Sequence, residues 1–212
     1  MSRSVQLAER LTHSLVNTHC RAPRPITRLR LPLGLDHVLL RGRWLKRLQP
    51  AAVLVAIRDR GNKPSVILTV RSHALRAHGG QISFPGGRAE LDDDFPDGTA
   101  LREAREEIGL AESAVKLIGY LDDYPTVSKF RVTPVVALVE GDVRLEADPG
   151  EVSEIFEVPL SFVLDRENYQ IRRMGRLGLS YYELHFQRYR IWGATAGMLL
   201  NLQEKFATHA LG

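Results

Sequence analysis

The chain has 212 residues, 44% of them hydrophobic, enough for one sizeable core. Its longest apolar runs, at 51–57, 65–70 and 133–139, are strand-sized and far below the ~20 residues a membrane helix needs, and a single cysteine, Cys20, excludes an intramolecular disulfide. The formal net charge of +4 conceals an asymmetry, since residues 1–50 carry ten Lys and Arg against two acidic residues, or +8, and the rest of the chain carries −4.

The N-terminal stretch 4–17 has the alternation of an amphipathic helix, with charges inside it and no apolar segment of a secretory signal, so a reducing cytoplasm is the expected compartment. A Pro-punctuated connector follows to about residue 50. Residues 1–50 are therefore expected to be a basic helix and connector that pack on a main domain spanning 51–212. The basic front would suit an anionic partner or pair with the acidic body, but no nucleic-acid motif accompanies it, and nucleic acid is not the expected partner.

From residue 51, "AAVLVAIRDRGNKPSVILTVRS" reads as two β-rich runs around a Gly-Asn-Lys-Pro turn. A loop-rich passage with two Gly-Gly pairs and four aspartates leads to "TALREAREEIGL" at 99–110, a helix expected to be capped by Asp97 or Thr99 and stopped at Gly109. Strands are expected in 114–124, 130–141 and 154–164, the last with a short helix. "YYELHFQRYRIWG" alternates like a strand, and 194–211 has helical spacing. Strands mixed with a few helices in no regular alternation point to an α+β sandwich of helices on a mixed sheet.

The helix at 99–110 poses a physical question. Glu103, Glu106 and Glu107 lie three and four residues apart, where like charges cost roughly 0.2–0.5 kcal/mol per pair. At ~100° per residue they share a fan of about 100°, beside an apolar stripe of Leu101, Ala104 and Ile108. Arg102 and Arg105 would offset part of the repulsion. Clustered carboxylates on a rigid element also suit a hard divalent cation, Mg²⁺ or Mn²⁺, and the "FPGG" loop at 84–87 would let a backbone carbonyl approach the same ion.

At these residues the chain resembles the Nudix hydrolase superfamily, whose signature is Gly, five residues, Glu, seven residues, then Arg-Glu-U-x-Glu-Glu-x-Gly-U, with U a bulky apolar residue. Arg102, Glu103, Glu106, Glu107, Gly109 and Leu110 match, and Ala104 stands at the first U. Gly87 lies fifteen residues before Arg102 rather than fourteen, and the position eight before Arg102 is Asp94, flanked by Asp92 and Asp93. Which aspartate replaces the loop glutamate is open at this stage. Upstream, "ILTVRSHALRAHGGQISFPGG" at 67–87 resembles the pattern preceding the Nudix box in coenzyme A pyrophosphatases, with Thr69, Arg71, Ser72, Arg76, Gly80, Phe84, Pro85, Gly86 and Gly87 in register.

The resemblance implies a Nudix-type α/β/α sandwich and hydrolysis of the diphosphate bond of coenzyme A or its derivatives, giving 4′-phosphopantetheine and adenosine 3′,5′-bisphosphate. It also implies Mg²⁺ or Mn²⁺ held by Glu103, Glu106, Glu107 and the Gly87 carbonyl, with Arg102 orienting the carboxylates. Arg71, Arg76, Gly80 and Phe84 become the candidates for binding substrate, guanidinium forks matching phosphate oxygens. Among Glu146, Glu151, Glu154 and Glu157, Glu151 in "DPGEV" is the expected general base. A homodimer is compatible with the sequence. Two rival readings remain, a Nudix hydrolase for ADP-ribose or a dinucleotide and a non-catalytic Nudix-fold binding module.

Overall fold

The computed structural model describes residues 3–15, 18, 47–59, 63–75, 78–174 and 179–208. Cys20, most of the connector and Arg76 lie outside the described residues, and the last two connector positions, Gln49 and Pro50, already belong to the first strand. In chain order the elements are α1 (Arg3–Leu15), β1 (Gln49–Asp59), β2 (Pro64–Arg71), β3 (Ile82–Ser83), β4 (Gly86–Arg88), α2 (Asp97–Ile108), β5 (Val115–Tyr120), β6 (Tyr124–Pro125), β7 (Phe130–Val139), β8 (Val152–Pro159), α3 (Leu160–Leu164), β9 (Gln170–Met174), β10 (Leu179–Phe186), β11 (Tyr189–Trp192) and α4 (Ala194–Thr208).

Among the described residues, eight strands form one mixed sheet with the central path β3-β2-β1-β7-β5; β4 pairs with β1, β6 with β7 and β8 with β2. The β1–β7 pair is parallel and the others are antiparallel. β1 is almost continuously apolar because both of its faces are covered. Its Ala52, Leu54 and Ala56 pack with Ala100, Ala104 and Ile108 of α2. Its Ala51, Val55 and Ile57 face the opposite core, which contains Leu11 and Leu15 of α1 and Met198, Leu199 and Leu202 of α4. Helices on both sheet faces make an α/β/α sandwich. Leu11 and Leu15, fully buried, each contribute about 1.5–3 kcal/mol, which fastens α1 to this body. No described helix is long and apolar enough to cross a membrane.

Two local expectations are corrected. The residue preceding α2 is Pro96, and no side chain caps the helix. Asp97 instead accepts from the Tyr120 hydroxyl at 2.8 Å, and the Thr99 hydroxyl donates to Asp93 at 2.8 Å. Both side chains tie the helix to neighbouring segments. Gly109 does stop it, at φ 65°, with its N–H donating to the Arg105 carbonyl. The single strand expected near 181–193 is the hairpin β10–β11, which joins β9 in a separate three-stranded sheet.

Candidate active site

The three helix glutamates do not share one exposed face. Glu107 points inward and its side chain is 2% exposed, Glu103 is mostly covered, and Glu106 is half-exposed. Glu107 can sit inward because donors meet it there: the Gly86 N–H at 3.1 Å on Oε2 and Arg71 Nη1 at 3.4 Å on Oε1. Burial pushes its carboxyl up to about 7, against the pull of these two donors. Glu103 is also raised, chiefly by burial.

Glu103, Glu107 and Glu151 converge, each offering a carboxylate oxygen, with these oxygens within 4.8 Å of one another. Two full charges at that separation repel by roughly 3–4 kcal/mol at an effective dielectric constant of 20. Glu151 is held there by its backbone. Its N–H donates to the Asp148 carbonyl, its carbonyl accepts from Ser72 N–H, and Asp148 N–H donates to the Glu107 carbonyl. The loop is thus clamped between the end of β2 and the end of α2. Two other acids of this stretch are engaged elsewhere: Glu154 with Arg188 and Tyr189, and Glu157 with Arg58 and Ser65.

Gly87 explains itself by contact. A Cβ there would lie 2.4 Å from Glu103 Oε1, so only glycine lets β4 pass this close to the carboxylate. Arg102 organises the rim. Its Nε and Nη2 grip the two oxygens of Asp93, each at 3.0 Å, and its Nη1 reaches Glu103 at 3.0 Å and Glu106 at 3.1 Å. The fork answers the question of the loop acid: Asp93, six residues after Gly87, meets the arginine, and the extra residue falls between Asp93 and Arg102. Asp93, hydrogen-bonded by the Arg102 guanidinium, titrates well below the usual carboxylate range.

The expected substrate contacts divide. Arg71 lies at the centre but on Glu107, a buried carboxylate. Phe84 is 1% exposed in the core beneath the sheet, since the chain turns it inward between β3 and β4. Gly80 serves a turn, with φ 73° and its N–H on the Arg71 carbonyl, and a Cβ would meet the His73 ring at 2.6 Å. Neither Phe84 nor Gly80 presents a side chain to a ligand.

Five carboxylates (Asp93, Glu103, Glu106, Glu107 and Glu151) thus meet two guanidiniums, Arg71 and Arg102. This surplus of hard oxygen donors, crowded and partly desolvated, fits a divalent cation.

The family model for the NUDIX domain matches residues 47–175. A relative from Klebsiella pneumoniae subsp. pneumoniae, described as the uncharacterized Nudix hydrolase NudL, is 42% identical over 158 residues, 72% of this chain and 80% of that protein. The NudL of Citrobacter koseri, described in the same words, is 40% identical over 167 residues, 76% of this chain and 84% of its own. The crystal structure of RenU, a Nudix hydrolase from M. smegmatis, shares the fold with a TM-score of 0.53 at 21% identity, covering 76% of this chain and 86% of that one.

Proposed function

Because the chain belongs to the Nudix hydrolase family, we propose that its carboxylate cluster hydrolyses the diphosphate bond of coenzyme A or an acylated or oxidised form of it. The convergence of Glu103, Glu107 and Glu151 beside Gly87 carries the hydrolytic part of this reading. The substrate part rests on the resemblance of residues 67–87 to the segment that precedes the Nudix box in coenzyme A pyrophosphatases.

Glu103, Glu106 and Glu107, with the Gly87 carbonyl as a further donor, would hold Mg²⁺ or Mn²⁺, which when bound supplies charge neutralisation of the diphosphate and polarisation of a phosphoryl oxygen. Glu151 is exposed and borders the cluster from the β8 side. Its carboxylate oxygen takes the proton of the attacking water. Water oxygen bonds to one phosphorus, the bridging P–O bond breaks, and the departing phosphate oxygen carries away the electron pair. Arg102 keeps Glu103 and Glu106 aimed, anchored in turn by Asp93. Arg71 holds Glu107 in place and keeps one edge of its guanidinium for substrate oxygens.

Incubation with coenzyme A, ADP-ribose and a dinucleotide, each with and without Mn²⁺, tests this reading by product. Release of adenosine 3′,5′-bisphosphate from coenzyme A in the presence of metal, well above turnover of the other two, is expected. Preferential cleavage of ADP-ribose or the dinucleotide would move the protein to another branch of the family, and cleavage of none would leave a binding module.

A further inference from the structure

The small sheet β9–β10–β11 carries a second buried glutamate whose surroundings are the reverse of the first. Along β10, Leu184 and Phe186 face the core, Phe186 packing on Phe162 at 5.1 Å. Tyr181, Glu183 and His185 therefore occupy the outer face. Cross-strand register sets Arg172 opposite Tyr181, Trp192 opposite Glu183 and Arg190 opposite His185. On this outer face Glu183 is nevertheless only 2% exposed, roofed by its neighbours.

Burying a carboxylate costs several kcal/mol unless donors compensate. Here Arg172 Nε donates at 2.6 Å, Arg190 Nε and Nη2 at 3.0 and 2.9 Å, and His185 Nε2 lies at 3.2 Å. One arginine would have balanced the charge. Two leave a surplus of one positive charge, and both guanidinium-bearing side chains stay 51% exposed. Among the described residues, Nη1 of neither guanidinium meets a protein acceptor. Arg190 also lies 5.5 Å above the Trp192 ring, and Tyr181 meets that ring edge-on at 5.5 Å. A fixed pair of forks beside an aromatic pair is the chemistry that receives a phosphate attached to a nucleobase-bearing group.

The sheet that bears this face is anchored, through its inner side and the start of α4, to segments that lead to the catalytic cluster. The Thr195 hydroxyl donates to the Ile82 carbonyl at 2.9 Å, four residues before Gly86. Tyr189 donates to Glu154, three residues after Glu151, and stacks on Phe156 at 3.7 Å. Those chain separations, from Ile82 to Gly86 and from Glu154 to Glu151, span at most ~14 and ~11 Å.

We propose that the outer face of this sheet is the subsite for a phosphomonoester on the nucleoside end of the substrate, with Arg172 and Arg190 gripping the phosphate and Trp192 and Tyr181 flanking the base. The proposal rests on the coenzyme A reading, since the 3′-phosphate is the group that distinguishes that nucleoside end. Glu183 is a positioning residue that spaces the two forks.

The test compares kcat/KM for coenzyme A and 3′-dephospho-coenzyme A in the wild type, Arg190→Ala and Arg172→Ala, with calorimetric binding of adenosine 3′,5′-bisphosphate and adenosine 5′-monophosphate alongside. Each substitution should cut the wild-type preference for the 3′-phosphorylated substrate about ten- to hundredfold, the range of one charge-assisted bond, chiefly through KM. Arg190→Lys should restore part of it. An undiminished preference, or a wild type that does not discriminate the two substrates, overturns the subsite. If the wild type cleaves neither, the functional reading fails, and the binding arm decides the subsite alone: preference for the bisphosphate lost in Arg190→Ala supports it, and equal binding of the two nucleotides or none overturns it.

Discussion

Glu107 and Glu183 are both buried glutamates, and their surroundings push them in opposite directions. Glu107 sits among like charges, and burial raises it to about 7. Glu183, hydrogen-bonded first of all by Arg172 and then by Arg190, is drawn down to about 2, its carboxylate covered from solvent by those same side chains. One cluster has more anions than cations and would be completed by a cation; the other has more cations than anions and would be completed by an anion. Burial alone therefore says nothing about what a polar cluster wants. The count of charges around it does.

The largest effect should come from removing charge at the first cluster. Glu107→Gln and Glu103→Gln are each expected to lower metal-dependent kcat by about 10²–10³ or more, the scale of losing a preorganised electrostatic group, while circular dichroism reports an intact fold. Next comes Arg102→Ala, which leaves Asp93 without its fork. Breaking a buried pair costs roughly 3 kcal/mol, read as a melting point lowered by about 6–12 °C in a chain of this size, together with lost activity as Glu103 and Glu106 drift. Gly87→Ala is milder. Its methyl would collide with the end of the Glu103 side chain and not with backbone, so the fold should hold while Mn²⁺ affinity drops about tenfold or more.

The smallest effect sharpens the comparison from the other side. Glu183 is depressed in the folded state, so its contribution to stability is present above its ordinary value of 4.5 and lost as pH falls from there toward about 2. Glu183→Gln should flatten the fall of melting temperature over that acid window and change little of that slope above pH 6. An unchanged acid slope in the variant would mean that the two arginines are not held by its charge.

The sequence made the first cluster legible and the second invisible, for a physical reason. Glu103, Glu106 and Glu107 fall within one helical turn of each other, so their crowding can be read from spacing alone. Even so, the helical projection put all three outward, because it could not foresee that Gly86 and Arg71 would offer donors to Glu107 inside the fold. Phe84 stood as a substrate candidate through its register in the segment that resembles coenzyme A pyrophosphatases, yet a large apolar side chain between two short strands is worth more in the core. Asp93 emerged only when the loop was closed onto Arg102. Glu183 gathers Arg172 and Arg190 from two other strands, and nothing in a linear pattern announces that a strand pairing will place three charges together. The sandwich, by contrast, followed from strand-sized apolar runs and one clearly amphipathic helix.

The central claim is that the carboxylates around Glu107 make this protein a metal-dependent hydrolase of coenzyme A. It is met most directly by following release of adenosine 3′,5′-bisphosphate from coenzyme A by wild type and Glu107→Gln across a Mn²⁺ titration. A product signal that rises with Mn²⁺ in the wild type and stays at background in the folded variant is the predicted result. Equal release by the variant, or release indifferent to Mn²⁺ and to a chelator, would contradict it.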